Sequence, residues 1–363
     1  MATIDVLLPV RNGLPFLREA IESIRSQVFS DWRLLVLDHG SSDGSAALAQ
    51  EYEERDARIK LFSLPDADGL AGLLNIGLDK CDCKYVFRQD ADDISLPNRM
   101  SLVVEQFREN PDFLAIGSNA IMIDKAGRHF GYVHMPASHN AIIAAGFFYN
   151  PMRQSTIATN FASFTRHGAR YGRDILNLVP KEEVPEVRGL AEDYFLFGQL
   201  ALIEPCINLR APLIKYRIHG ASVGVSHPKQ QMQLALRISR FLAKSFCAMK
   251  GLPEFDPTPF CNHAENVFDF RRSDYTDEFE RMALALRRGL GPSDEVEREL
   301  AFRWILATRN SCLMTARALR FRMKYGATPG ERRTVRNWLL RGLRGGKYVY
   351  RGTSGSAITG AIK

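Results

Sequence analysis

The sequence predicts an α/β layer fold followed by a mainly helical region, and three observations lead there. Short β-branched or apolar runs alternate with longer helical patterns through the first part of the chain, the signature of a sheet built from βα units. An acidic cluster, Asp90-Ala91-Asp92-Asp93, follows directly on the fourth strand-like run. Beyond about residue 226 the strand signal gives way to helical stretches punctuated by Pro and Gly. The chain is therefore expected to divide into an α/β domain, residues 1–225, and a basic, mainly helical region, residues 226–363.

Taken in order, residues 4–9 read as the first strand. Residues 15–27 follow as a helix, with Phe16, Leu17, Ala20, Ile21 and Ile24 on one face. Residues 33–37 are the second strand. Ser42-Asp43-Gly44-Ser45 then punctuates the chain and opens a helix to about Arg55, followed by a strand at 59–63 and a helix at 69–79. The fourth strand, 85–89, ends on the acidic cluster, and in open α/β sheets ligands bind beyond the carboxyl ends of strands. A helix follows Pro97 to about Glu109, then a strand at 113–118, after which the periodicity is mixed. In the second region helices are expected at 231–249, 274–288, 293–324 and 329–343, and residues 351–363, rich in Gly, Ser and Thr, are expected to fray.

Bulk properties narrow the function. The chain has 363 residues and is 45% apolar, enough for a sizeable core and for two domains. No basic-flanked apolar leader opens it, and its longest apolar stretch, residues 141–149, falls far short of the roughly 20 residues of a spanning helix. No secretory signal and no membrane span are expected. Cysteines at 81, 83, 206, 247, 261 and 312 match neither paired zinc spacing nor a disulfide framework, so a reducing cytoplasm is the expected setting. Charge is uneven: residues 1–225 carry 23 Lys+Arg against 28 Asp+Glu, a balance of −5, and residues 226–363 carry 25 against 13, a balance of +12. From residue 300 onward 14 basic residues face one acid, Glu331, which implies an anionic neighbour such as a membrane surface or a phosphorylated acceptor. Without a recognised nucleic-acid motif, and with an acidic first half, nucleic acid is not the expected partner.

Three carboxylates within four residues repel one another and call for a cation, a helix N-terminus or open solvent. Capping of the helix after Pro97 would use one acid rather than three. Hard oxygen ligands so placed suit Mg2+ or Mn2+, which characteristically bind one or two carboxylates together with substrate phosphates. A diphosphate ligand is therefore expected.

Seven segments in order then carry a resemblance. They are LLPVRNG (7–13), LxxAIxSIxxQ, DWRLLVLDHGSSDGS (31–45), GLAGLLNIGL (69–78), RQDADDISLPNRM (88–100), AEDYFLF (191–197) and YRIHGASV (216–223). Over about 220 residues the chain resembles the inverting glycosyltransferases of family 2, in their non-processive bacterial form. The resemblance implies a GT-A fold with a mixed, mostly parallel central sheet, and transfer of a sugar from a nucleotide-sugar donor, a UDP-sugar by default.

It also implies site roles. Pro9, Arg11 and Asp38 would line the nucleotide pocket and Asp90 would lie near the ribose. Asp92 and His219 would hold Mn2+ or Mg2+ against the diphosphate. Asp93 and Glu192 would approach the donor sugar, and Asn75 and Arg99 would reach the donor. Asp193 would be the general base that takes the acceptor hydroxyl proton, with inversion at the anomeric carbon. Paired acids in a first helical turn also favour the helix dipole, and that reading of Glu192-Asp193 stays open.

Two departures stand out: His39 follows Asp38 where the family usually has an acid or small polar residue, and Gln154-Ser155-Thr156 stands where a His-containing turn is common. The QxxRW segment of processive members is absent, so limited addition to a saccharide or lipid-linked saccharide acceptor is expected. The rival readings are a sugar-nucleotide nucleotidyltransferase, whose Gly-rich, basic opening loop is missing, and a catalytically silent nucleotide-sugar-binding protein.

In the second region Arg303, Arg309, Arg317, Arg320, Arg322 and Lys324 interleave with Trp304, Ile305, Leu306, Leu313, Met314, Leu319, Phe321 and Met323. Arg332, Arg333, Arg336, Trp338, Leu339, Leu340, Arg341 and Arg344 repeat the chemistry. Such basic amphipathic helices either lie at an anionic membrane interface or pack their apolar face inward.

Overall fold

The computed structural model describes residues 2–220, 228–262 and 274–343. The segments 221–223, Arg344 and 351–363 singled out above lie outside them. Two compact units make up the chain. One comprises Met1–His139, Pro151–Ile175 and Glu186–Ser222, and the other Asn140–Asn150, Leu176–Pro185 and Val223–Lys363.

The first unit is an α/β fold. Its elements run β1 (Ile4–Val10), α1 (Leu17–Arg25), β2 (Trp32–Asp38), α2 (Ser45–Arg55), β3 (Ile59–Ser63), α3 (Gly69–Asp79), β4 (Tyr85–Arg88), β5 (Ile94–Ser95), α4 (Arg99–Glu109), β6 (Ala115–Ile123) and β7 (His129–Val133). After α5 (His139–Gly146), nearly all of which belongs to the second unit, come β8 (Ala158–Asn160), α6 (Phe161–Arg166), α7 (Glu192–Ile203) and β9 (Cys206–Arg217). The nine-stranded sheet has the order β3-β2-β1-β4-β8-β6-β9-β5, with β7 paired to β6. β1 to β4 pair in parallel, β8 is antiparallel to both neighbours, and β6 and β9 are parallel.

Every residue of β1 is buried, as expected of a parallel strand covered on both faces. On one face the core takes Leu17, Ala20, Ile21 and Ile24 of α1 and Met100, Val103, Val104 and Phe107 of α4, each set at helical spacing. On the other, α3 lies so close that a Cβ on Gly77 would come within 2.5 Å of Leu37 Cδ1. The register sets Val10 beside Asp38 and Leu7 beside Arg88. The loops after β1, β2 and β4 therefore leave the sheet at one edge, as the βα pattern requires.

The second unit is helical: α5, α8 (Pro228–Lys250), α9 (Thr276–Leu290), α10 (Asp294–Leu306), α11 (Ser311–Tyr325) and α12 (Pro329–Leu343). The single helix expected over 293–324 is two. α10 stops at Leu306, and Asn310 starts α11 by accepting from the N–H groups of Cys312 (3.0 Å) and Leu313 (3.1 Å), an N-cap that the apolar periodicity running through it had masked.

Several of the basic residues expected on the surface are internal. Arg303, 1% exposed, donates to Glu299, Asn262 and the Phe260 carbonyl and lies over the Phe148 ring. Arg309 is buried 4.1 Å from the Trp338 ring centroid, and Arg317 stacks on Trp304 at 3.6 Å. Phe302, Ile305, Leu306, Met314, Phe321 and Trp338 form the core between these helices. No helix among the described residues is long and apolar enough to cross a membrane.

Candidate active site

At the exit of β1 and β2, two loops are laced together. Asn12, at φ 55°, donates from its N–H to Ser41 Oγ (2.9 Å), and its side-chain oxygen accepts from the Ser42 N–H (2.8 Å). Asp38 ends β2 at 2% exposure, and its carboxylate takes the Ser41 N–H. Pro9 is buried in β1 beside Leu37, whereas Arg11 is exposed. His39 donates from Nε2 to the Ala67 carbonyl at 3.0 Å, so the residue that departs from the family pattern ties its loop to the segment before α3.

The acidic cluster sits in the turn between β4 and β5, and buried Gln89 shapes it. Its amide nitrogen donates to the carbonyls of Asp90 (3.1 Å) and Asp93 (2.8 Å), and its oxygen accepts from Ser95 and Arg99. Arg99 is fully buried and also donates to the Arg88 carbonyl at 2.8 Å. It braces the turn from behind. Asn75 likewise spends both ends of its amide on the Tyr171 backbone, at 3.0 and 2.9 Å. The hydrogen bonds of both residues run to protein groups, not toward a ligand space.

The three aspartates are not equivalent. Asp93 is fully buried, with one oxygen accepting from the Arg217 N–H (2.8 Å) and the other from Ser155 Oγ. Burial, and then the charges of Asp92 and Asp90, push its carboxyl well above the usual range. Asp90 receives the Arg88 guanidinium on Oδ1 at 2.9 and 3.1 Å, while its Oδ2 takes no hydrogen bond from the described residues. Burial raises its pKa too, against the pull of Arg88. Asp92 pairs Oδ2 with His219 Nε2 at 2.9 Å, and its Oδ1 takes none from the described residues. Oxygens of the three carboxylates lie within 4.8 Å of one another. Two carboxylates, each with an open oxygen, beside an imidazole form a donor set that fits Mn2+ or Mg2+. Asp93, its oxygens already taken by protein donors, orders the turn.

A second acidic pair opens α7. Ala191, at φ 54°, is a left-handed residue with a Cβ, and that sharp turn delivers Glu192 and Asp193, 3% and 9% exposed. Gln154 Nε2 donates to Glu192 Oε1 at 2.8 Å. Burial, and then the charge of Asp193, bring Glu192 up to about 7, with Arg88 pulling the other way.

Residues 5–177 match the sequence profile of glycosyl transferase family 2. Over that stretch, 173 of the 363 residues, the chain matches the family 2 glycosyltransferases. Among its relatives is an uncharacterized glycosyltransferase of Haemophilus influenzae, 27% identical over 245 residues, covering 65% of this chain and 72% of that one. The O-antigen biosynthesis glycosyltransferase WbnJ of Escherichia coli is 26% identical over 60% of this chain and 81% of its own length. The putative glycosyltransferase EpsE of Bacillus subtilis is 32% identical, over only 34% of this chain and 45% of its own. Among solved structures, S. aureus TarS 1-349 in complex with UDP-GlcNAc superimposes with a TM-score of 0.53 at 14% identity, covering 96% of this chain and 93% of that one. At that identity the likeness shows the GT-A fold alone.

Four residues that the sequence had not singled out for the site are built into it. Arg88, 5% exposed, holds Asp90 with two nitrogens and leaves Nη1 buried without a partner. Arg153 lies 4.6 Å over the Tyr216 ring with its Nε likewise unpartnered. Arg217, 1% exposed, spans the Asp92 carbonyl (2.9 Å), the hairpin carbonyls of Asp124 and Lys125, and Glu19 (2.6 Å). Gln154 is the fourth. The RQDADD string contained the available signal: an Arg two residues before the cluster, at the end of a buried strand, needs an acid beside it.

Proposed function

We propose that this glycosyltransferase moves a sugar, from a UDP-sugar by default, to a hydroxyl of a saccharide or lipid-linked saccharide acceptor with inversion, assisted by Mn2+ or Mg2+. The observation that supports this reading best is the position of Arg88. It pairs with Asp90 of the acidic turn, and its charge acts on Glu192 beside Asp193. The names of relatives in polysaccharide pathways, O-antigen biosynthesis among them, favour a role in assembling cell-surface polysaccharide or glycoconjugates. Residues 1–225 are proposed as the catalytic part and 226–363 as the part that meets the acceptor or a membrane, in a cytoplasmic enzyme peripheral to the inner membrane face.

In this reading Pro9, Arg11 and Asp38 hold the nucleotide, with the Asp38 carboxylate facing the base. Asp90 and Asp92, through their open oxygens, and His219, through its imidazole, would hold the cation. A bound Mn2+ or Mg2+ supplies positive charge against the departing diphosphate. Asp193 accepts the proton of the acceptor hydroxyl as that oxygen attacks from the face opposite the leaving group. Glu192, kept neutral in part by burial, and the free nitrogens of Arg88 and Arg153 present donors to sugar hydroxyls or phosphate oxygens. Arg99 and Asn75 act as struts.

A panel of nucleotide sugars with Mn2+, scored for thermal stabilisation and for slow release of nucleoside diphosphate, tests the proposal. Stabilisation and release by one donor class are expected. No response to any donor, with or without metal, would refute it.

A further inference from the structure

Helix α11 has two apolar faces, and the core uses only one. Met314 and Phe321 are buried, 1% and 4% exposed. Cys312, Ala316, Leu319 and Met323, spaced by four, three and four residues, form a second stripe that is exposed along its length. Leu319 is 56% exposed and Met323 82%, with Leu313 at 50% on the flank. Isolated exposed apolar residues are ordinary, but a continuous stripe marks an interaction surface.

The charges beside the stripe indicate what it meets. Arg320 and Lys324 border one side and Arg322 the other, all exposed, and on the next helix Arg332 and Arg336 are exposed as well. Across residues 311–343 the only acid is Glu331, and it is turned to Arg298 at 2.8 Å. A polyanion such as nucleic acid would satisfy the cations and have no use for the stripe. A bilayer with anionic head groups satisfies both, taking apolar side chains below the phosphates and arginines among them. We propose that α11 docks lengthwise on an anionic lipid surface through Leu319 and Met323, with Arg320, Arg322 and Lys324 at the head groups. Arg303 and Arg309 take no part, because they are buried, and Arg317 is held over the Trp304 ring. The proposal stands independently of the assignment of the acidic site.

Co-sedimentation of the full chain with vesicles tests it. Binding is expected to vesicles of phosphatidylcholine mixed with phosphatidylglycerol, weakening at high salt, and not to phosphatidylcholine alone. The double variant Leu319→Glu/Met323→Glu should lose about tenfold or more of that binding while keeping the melting temperature and the donor hydrolysis of the parent, since both side chains are exposed. Arg320→Glu/Arg322→Glu should lose it too. Absence of binding to the anionic vesicles overturns the proposal. So does binding that falls with the arginine variant yet survives the Leu/Met variant, which would mark a surface for polyanions. A dimer in solution that the Leu/Met variant dissociates, with no vesicle binding, assigns the stripe to a second copy and overturns it as well.

Discussion

Gln154 Nε2 donates to Glu192 Oε1 at 2.8 Å, so an amide rather than a cation faces a carboxyl group that is only 3% exposed. A neutral donor compensates little of the cost of burying charge. Glu192 accordingly titrates near 7 in the fold against 4.5 for the ordinary group. Between those values the folded state holds the proton more tightly than the unfolded chain. Stability contributed by this group therefore falls as pH rises through the window, and the full cost is felt above it. Glu192→Gln should raise the stability of the metal-free protein by up to about 3 kcal/mol near pH 8 and by almost nothing near pH 4. Unfolding followed at both pH values measures the difference.

Ser155 performs a comparable service for Asp93, which is fully buried and otherwise takes one backbone N–H from Arg217. Ser155→Ala leaves a buried oxygen without its donor and should cost about 1–3 kcal/mol in urea unfolding. Thr156 provides a neighbouring control, since its hydroxyl serves backbone groups at Arg153 and Ser118.

In the helical unit, Arg303 is a staple rather than a surface charge. Arg303→Ala strands Glu299, whose side chain is 12% exposed, and should destabilise by about 3–5 kcal/mol. The pair Arg303→Met/Glu299→Leu should recover much of that loss, because replacing both partners by apolar groups removes the unpaired charge. Chemical unfolding of the three variants makes the comparison.

Much of the first unit was legible in the sequence because its signals are local. The βα alternation placed β1 to β4 and α1 to α4 within a few residues, and the acidic cluster announced its turn. The strand order was not legible: β8 inserts between β4 and β6, and β9 pairs with both β6 and β5, through contacts as far apart as Ile116 and Ala158 or Ile94 and Lys215 in the sequence. The same distance hid the supports of the site. Arg217 meets Asp93 across 124 positions and Gln154 meets Glu192 across 38, and no periodicity records such pairs. The fate of the basic helices depended on whether each arginine found a ring or carboxylate inside, which composition does not disclose.

His219 shares Nε2 with Asp92 Oδ2 at 2.9 Å, with both side chains partly exposed. The arrangement matters chiefly as a donor set. His219→Ala should leave the melting temperature of the metal-free protein almost unchanged and weaken Mn2+ affinity by about tenfold or more. Calorimetric titration of Mn2+ in the presence of nucleoside diphosphate reads the effect.

The most direct test of the account compares two aspartates by donor binding and transfer, measured on the same protein samples with Mn2+ present. Asp92→Asn should weaken metal-dependent donor binding, whereas Asp193→Asn should leave it nearly intact and reduce transfer by about a hundredfold or more. Equal losses of donor affinity in both variants, or transfer surviving in Asp193→Asn, would contradict the division of the site into a diphosphate-holding half and a proton-accepting half.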